Sequence, residues 1–141
     1  MLAQHHLTVA TPGQGLVEIT SPIVEWVAGQ GVRQGLLSLF IAHTSASLVI
    51  QENADPDVRR DLVTALRRLA PVDAGWIHDL EGPDDMPGHV KSMLNGVSLQ
   101  VPVSNGDLAL GTWQGIYVAE HRRHAHRREV VLQFLGACDQ G

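Results

Sequence analysis

The sequence predicts a single α+β domain in which antiparallel β-sheet, arranged as a sandwich, packs with two or three helices. Its 141 residues match the usual size of one domain. The apolar content of 44% is typical of a folded globular protein. Strand-like and helix-like segments also follow one another in mixed order, unlike the regular alternation of a doubly wound sheet. No repeat or linker divides the chain, so one domain is expected over residues 1–141.

The chain opens with two β-rich segments and a short helix. Residues 5–10 and 15–20 flank a Pro-Gly pair at 12–13, which indicates a hairpin. The segment SPIVEWVAGQG begins with Ser21 as a predicted cap and ends in glycines. Because Pro22 fits the first turn, this segment is expected to be a helix.

Two strands and the clearest helix follow. Residues 35–43 and 46–53 are apolar runs typical of buried strands. Asp55 caps a predicted helix over 55–70, and Pro56 fits its first position. The helix carries one apolar stripe, made of Val58, Leu62, Ala65, Leu66 and Leu69.

The second half is expected to contain a loop, a further helix over 85–94 and four strands. The strand segments are VSLQVPV, DLALG, GIYVAEHR and REVVLQFLG. An Asn-Gly pair at 105–106 joins the first two of them, as is typical of a tight hairpin. His124 and His126 fall in an expected solvated hairpin tip between the last two strands, and an anion patch formed with the neighbouring arginines is the alternative.

Composition narrows the classes of function. Cys138 is the only cysteine, which excludes an intrachain disulfide and any zinc site built from two cysteines of one chain. The net charge of −5 lacks the overall positive charge that is typical of a protein that binds nucleic acid. The sequence shows neither a signal-peptide pattern nor the ~20 apolar residues that span a bilayer. We therefore expect a cytoplasmic protein without membrane or nucleic-acid partners.

Polar residues after the two central strands are the first site candidates. His43 ends one strand, and Ser45 and Ser47 follow it in a turn suited to a phosphate or an oxyanion. Glu52 and Asn53 follow the next strand. An ordinary polar turn and a simple helix start remain the alternatives at these two places.

The richest segment is WIHDLEGPDDMPGHVKS, residues 76–92. Its imidazoles, His78 and His89, favour zinc or another transition metal if they meet across the loop. The adjacent Asp84 and Asp85 instead suit Mg²⁺, which prefers oxygen ligands. Lys91 adds a cation for phosphate. An acidic surface loop with an aspartate cap is the structural alternative.

The last candidate segment, GTWQGIYVAEHR, covers residues 111–122. Trp113 lies between glycines and indicates either a bulge that aims its ring or a core position. Adjacent strand residues point to opposite faces, so Glu120 and Arg122 are expected on one face and His121 on the other. His121 could therefore join a site that its neighbours do not enter. Because their segments are the richest in paired polar groups, His78, His89 and His121 are the predicted metal ligands, with His43 as the fourth group or the catalytic base.

At these segments the chain resembles the YjbQ-like family. The matching strings are HTSAS at 43–47, ENADP at 52–56, HDLEGPDDMPGHVKS at 78–92, GTWQGI at 111–116 and EHR at 120–122. They lie in the same order as in the family and span most of residues 35–135, effectively the whole domain. The resemblance implies an antiparallel α+β fold, a homotrimer, a metal-linked pocket and weak thiamine-phosphate synthase activity. It also adds Thr112 and Gln114 to the substrate-binding candidates.

The leading hypothesis is thus an enzyme that acts on a phosphorylated small molecule with a divalent metal, zinc in first place and magnesium as the alternative. His43 would act as acid or base, with Asp84 and Asp85 at the metal. Phosphate oxygens would be held by Ser45, Ser47, Lys91 and Arg122. A metal-dependent hydrolase and a non-catalytic metal- or ligand-binding module are the two other hypotheses.

Overall fold

The computed structural model describes residues 1–138 and confirms the predicted α+β class with three helices and antiparallel sheet. The helices are α1 (Thr20–Gly29), α2 (Pro56–Leu69) and α3 (Asp85–Asn95). The strands are β1 (Leu2–Thr11), β2 (Gly15–Glu18), β3 (Val32–Ile41), β4 (Ala46–Glu52), β5 (Ser98–Ser104), β6 (Asp107–Leu108), β7 (Gln114–Glu120) and β8 (His126–Cys138).

The strands form two antiparallel sheets. The larger sheet has the order β1-β8-β3-β5-β6, and the smaller has the order β2-β7-β4. In the smaller sheet Ala46 pairs with Glu120 at one end and Glu52 pairs with Gln114 at the other. Polar residues at the two ends of this sheet are therefore separated by the length of a seven-residue strand.

The hairpin predicted over residues 5–20 does not form. β1 pairs with β8 in the larger sheet, whereas β2 pairs with β7 in the smaller one. The chain crosses between the sheets at Gly13, where an added Cβ would lie 2.8 Å from the carbonyl oxygen of Arg123. The hairpin expected around residues 122–126 is also wrong, because β7 and β8 belong to different sheets. Both segments therefore connect a strand of one sheet to a strand of the other.

The predicted helices are confirmed, with one correction at a helix start. The Asp55 carboxylate accepts a bond from the backbone N–H of Asp57 and caps α2 as expected. α1 starts at Thr20 after Ile19, without the predicted Ser21 cap. The Thr20 hydroxyl instead donates to Glu18 and accepts from the N–H of Ile116, which ties the helix start to β2 and β7.

One apolar cluster draws on both sheets and on α1, so the predicted sandwich has a shared core. Alternate residues of β8 face this core, among them Val130, Leu132 and Phe134. α3 packs on β4 through a bond from the Ser92 hydroxyl to the carbonyl of Ala46. Within residues 1–138 no helix is long and apolar enough to cross a membrane.

Candidate metal centre and cleft

Three side chains of types that can ligate a metal converge beside the start of α3. Asp85 and His89 are one helical turn apart and share a face, and His78 reaches them from the preceding loop. Oδ2 of Asp85 lies 2.8 Å from Nε2 of His78 and 3.0 Å from Nε2 of His89. The three ligand atoms all lie within 4.8 Å of one another. We call His78, Asp85 and His89 the three-ligand cluster.

The environment of Asp85 fixes the direction of its carboxylate. Oδ1 accepts bonds from the Ser45 hydroxyl (2.9 Å) and from Nη1 of Arg122 (2.8 Å), which leaves Oδ2 for the imidazoles. Burial acts to raise the pKa of Asp85, but the bonds from His78 and Ser45 and the nearby positive charges hold that pKa below its usual value. The carboxylate is thus ionised and held in one orientation, as a metal ligand requires.

His89 is oriented through its other ring nitrogen. Nδ1 lies 2.8 Å from the carbonyl oxygen of Thr44 and 3.2 Å from Oγ of Ser45. A carbonyl oxygen only accepts, so Nδ1 carries a proton and Nε2 is the ring nitrogen that faces Asp85. A ring N–H given to a backbone carbonyl is the usual support of a metal-binding histidine.

Arg122 connects the cluster to the loop that precedes α3. Its Nε donates to Asp84 (3.1 Å), its Nη1 donates to Asp85, and its Nη2 donates to the carbonyl of Glu81. The N–H of Arg123 also donates to Asp84, at 2.9 Å. Burial acts to raise the pKa of Asp84, yet these bonds hold it below its usual value. Asp84 therefore anchors Arg122 and lies outside the three-ligand cluster.

A cleft of about 390 Å³ opens beside the cluster. His43, His126 and Arg128 line it together with the three ligands. Nδ1 of His43 accepts from the N–H of Ser45 at 2.9 Å, so the neutral ring carries its proton on Nε2. Burial and the charge of Arg128 lower the pKa of His43. Near neutral pH, His43 is therefore an uncharged hydrogen-bond donor at this cleft.

A buried ion pair supports the floor of the cleft. Nε and Nη2 of Arg128 donate to the Glu120 carboxylate at 2.7 and 2.8 Å, and the hydroxyl of Thr11 donates to the same carboxylate. Burial acts to raise the pKa of Glu120, but Arg128 and Thr11 hold it below its usual value. Nη1 of Arg128 has no partner within residues 1–138. One guanidinium nitrogen thus remains for a ligand.

His121 does not join the three-ligand cluster, and Asp85 takes the place predicted for it. Its Nε2 lies 2.8 Å from the Ser47 hydroxyl, and the residue is 2% exposed. Burial and the charge of Lys91 lower the pKa of His121 to about 4. His121, Ser47 and Lys91 are packed between β4, β7 and α3 and do not line the 390 Å³ cleft. The predicted phosphate-binding roles of Ser47 and Lys91 therefore do not belong to that cleft.

The substrate-binding candidates from ENADP and GTWQG lie at the other end of the small sheet. Glu52 accepts from the N–H of Asp55, and Asn53 donates to Glu18. Gln114 accepts from the N–H of Gly111 and pairs with Glu52 across the sheet. Like Thr112, these residues do not line the 390 Å³ cleft, so within one chain they are separated from the three-ligand cluster.

Sequence reasoning missed Arg128 and His126 as residues of the cleft. His126 was assigned to a solvated tip, and Arg128 to the start of the last predicted strand. The alternation of buried residues Val130, Leu132 and Phe134 continues back along β8 to Arg128 and His126, which places all of them on one strand face. Extending that period was the signal that could have found them. The contribution of the Thr44 carbonyl had no signal in the sequence, because a backbone acceptor is available at every residue.

Comparison with known proteins shows to which family this chain belongs. The model of the UPF0047 protein YjbQ-like family matches residues 5–137. A UPF0047 protein of Synechocystis is 47% identical over 134 residues, which cover 94% of this chain and 91% of that protein. The UPF0047 protein YjbQ of Salmonella typhimurium is 44% identical and covers 96% of this chain and 99% of its own length.

Solved structures agree with this assignment. A YbjQ-like protein of unknown function from Sulfolobus solfataricus has a TM-score of 0.90 at 25% identity, covering 97% of this chain and 99% of its own. A protein of the yjbq/upf0047 family from Clostridium acetobutylicum has a TM-score of 0.82 at 35% identity, covering 94% and 99%. The chain belongs to the UPF0047 YjbQ-like family.

Proposed function

We propose that this member of the YjbQ-like family is a metal-dependent enzyme that acts on a phosphorylated small molecule in the cleft beside the three-ligand cluster. One observation carries the proposal. Nε2 of His89 and Nε2 of His78 both face the ionised oxygen Oδ2 of Asp85, at 3.0 and 2.8 Å. This convergence of three donor atoms, all within 4.8 Å of one another, suits a bound cation.

The donor set fits zinc better than magnesium. Two imidazole nitrogens and one carboxylate oxygen are ligands that zinc and other transition ions accept, whereas magnesium prefers oxygen donors alone. A magnesium site at paired carboxylates would need Asp84. That carboxylate is already bonded to Arg122 and to the N–H of Arg123. Zinc is therefore the favoured ion, held by His78, Asp85 and His89.

The cleft carries groups suited to a phosphate. A bound zinc ion would supply positive charge and Lewis acidity at the wall of the cleft. Nη1 of Arg128 would donate to a ligand from the floor of the cleft, and the neutral ring of His43 offers Nε2–H. Donors fixed in place before a ligand arrives stabilise charge that develops on a leaving oxygen. His43 is also placed to transfer a proton as general acid or base.

The proposed reaction class is group transfer from a phosphorylated substrate, with thiamine-phosphate synthesis as the side activity suggested by the family resemblance. Departing diphosphate needs charge stabilisation more than it needs a strong protein nucleophile, which agrees with the residues of the cleft. Metal-dependent hydrolysis is the second candidate. Three protein ligands of the imidazole and carboxylate type are the usual set of catalytic zinc sites.

The test combines metal analysis with turnover. We expect purified protein to contain zinc by mass spectrometry and to convert a member of a panel of phosphorylated small molecules. The panel includes the two substrates of thiamine-phosphate synthesis, the pyrimidine diphosphate and the thiazole phosphate. Products are followed by liquid chromatography. Chelation and Asp85→Asn should abolish turnover, whereas Asp57→Asn, which changes an exposed carboxylate on α2, should not.

Two outcomes would refute this proposal. Turnover by Asp85→Asn at the parent rate would place the activity elsewhere. Bound zinc without conversion of any panel member would favour a non-catalytic metal-binding module.

We further propose a homotrimer, as the resemblance implies. Large apolar side chains stand exposed near the cluster, with Ile77 at 97% and Leu80 at 91%, and an assembly would cover them.

A further inference from the structure

Lys91 is the most deeply buried cation without a partner in the described part of the chain. The residue is 3% exposed, yet its ammonium group forms no hydrogen bond or ion pair within residues 1–138. Every side-chain nitrogen or oxygen that is fully sealed in residues 1–138 does have a hydrogen-bond partner. The ammonium group of Lys91 therefore keeps an opening, and it faces a small pocket shared with Glu120 and His121.

The register of α3 explains why Lys91 points away from the three-ligand cluster. Lys91 follows His89 by two residues, which is about 200° around a helix. It therefore lies toward β7 and α2. The nearest carboxylate lining its pocket, Glu120, is fully engaged by Arg128, Thr11 and the N–H groups at 121 and 122. Burial and the charge of Arg67 lower the pKa of Lys91, while the charge of Asp84 acts to raise it. Asp84 is itself bonded to Arg122 and to the N–H of Arg123 and does not line this pocket, so Lys91 has no ion-pair partner in the described chain.

His121 adds a second unmatched donor to the same pocket. The Asn95 amide donates to the Ser47 hydroxyl, so that hydroxyl directs its own hydrogen to Nε2 of His121. The neutral ring then carries its proton on Nδ1, which has no partner within residues 1–138. Two buried donors thus face a space of about 10 Å³, which is room for a single oxygen atom.

This small pocket is the floor of a wider basic cleft. A cavity of about 350 Å³ lies between α2 and the chain around β2. Its walls share Gln14, Gly15, Leu16 and Val63 with the small pocket. Arg59, Arg60 and Arg67 line it from α2, and Nε of Arg67 is held by the side-chain oxygen of Gln14 at 3.2 Å. We call this cavity with its floor the α2 cleft.

We propose that the α2 cleft is a second binding site of this chain, specific for the phosphate group of a small molecule. One phosphate oxygen would enter the floor and accept from Lys91 and His121. The remaining oxygens would meet Arg67 and the other α2 arginines. A doubly charged phosphate suits several cations better than a carboxylate does, because each ionic hydrogen bond adds to its binding. The site is separate from the three-ligand cluster and stands without the proposed reaction.

The experiment is calorimetric titration of the full chain with inorganic phosphate, with acetate in a parallel arm. Every titration uses protein that carries His78→Ala, which disables the proposed metal cleft. We expect saturable phosphate binding in this background and weaker binding of acetate. Lys91→Met, which keeps the length of the side chain without its charge, should weaken phosphate binding about tenfold or more.

A matched pair of variants on α2 keeps the test decisive if Lys91→Met fails to fold. Arg67 lines the α2 cleft, whereas its neighbour Arg68 does not. Arg67→Ala should therefore weaken phosphate binding severalfold, and Arg68→Ala should leave it unchanged. Equal effects of these two variants would overturn the site. So would phosphate binding that survives Lys91→Met unchanged, or an absence of phosphate binding at millimolar concentration, which would leave water as the occupant of the pocket.

Discussion

His89 and Asp85 lie one turn apart on α3, and Nε2 of His89 is 3.0 Å from Oδ2 of Asp85. Nδ1 of His89 donates to the Thr44 carbonyl, so Nε2 is the ring nitrogen that faces the Asp85 carboxylate. Oδ1 of Asp85 is meanwhile held by Ser45 and Arg122. This arrangement presents ligand atoms to a cation and leads to the first two predictions.

We expect His78→Ala and His89→Ala to lose zinc, with an affinity at least about 100-fold below that of the parent, since each removes one of three ligands. His121→Ala should keep its zinc, because His121 is bonded to Ser47 away from the cluster. Mass spectrometry of bound metal measures all three. His124→Ala is the control for loss of an exposed histidine. Full occupancy in both His78→Ala and His89→Ala would rule out this centre.

The adjacent aspartates should behave differently. Asp85→Asn should abolish zinc binding, because Oδ2 is a ligand atom. Asp84→Asn should bind zinc at the same stoichiometry with about 10–100-fold lower affinity, since Asp84 acts by holding Arg122 against Asp85. Competition with a chelating dye gives both affinities. Equal loss in the two variants would show that both carboxylates ligate the metal, as the sequence alone suggested.

The neutral state of buried His121 should make stability depend on pH. The pKa of His121 is about 4 in the folded chain and about 6.5 when unfolded. Below pH 6.5 the unfolded chain binds the proton first, so stability is full above this pH and falls as the pH drops toward 4. The loss should reach roughly 3 kcal/mol at the acid end.

Urea unfolding of the parent and of His121→Gln between pH 7 and pH 4 measures this effect. The difference between the two curves isolates His121 from His43, whose pKa is also lowered. The carboxylates with lowered pKa values, such as Asp85, act in another window, because their contribution is lost only as the pH falls below about 4. Parallel curves for parent and variant across pH 7–4 would contradict the assignment.

Glu120→Gln should destabilise the fold by about 3–5 kcal/mol, because it leaves the Arg128 guanidinium buried without its counter-charge. Chemical denaturation gives the free energy of unfolding. Asp57→Asn is the matched control. It breaks an ion pair to Arg60 that is largely exposed, and it should cost under about 1 kcal/mol. Similar small losses in both variants would show that the buried pair is not essential.

The proposed homotrimer predicts a mass by light scattering close to three times the 15.3 kDa of one chain at micromolar concentration. Exposed Ile77 and Leu80 flank His78, so Ile77→Asp with Leu80→Asp should lower the mass if this loop lies in the interface. Leu2→Asp, at the exposed start of β1, is the comparison. A parent mass near 15.3 kDa would refute the trimer.

Much of the fold could be predicted because helix signals are local. The Asp55-Pro56 start set the beginning of α2, and the Asn105-Gly106 pair formed the expected turn, with positive φ angles of 52° and 82°. Strand pairing was less predictable. Hydrogen bonds between strands are non-local, and nothing within residues 5–20 states that β1 and β2 join different sheets.

The candidate site, like the fold, could be predicted from the sequence only in part. The sequence by itself determined that His78 and His89 are separated by a loop rich in carboxylates, and it indicated that they meet. Only the tertiary structure decided that Asp85, and not His121, completes the cluster. That choice depends on the rotation of α3 against β4 and on the sheet face taken by each residue of β7. Small changes in either would turn a different donor toward the cleft, so the packing of α3 on the sheet selects the ligand set.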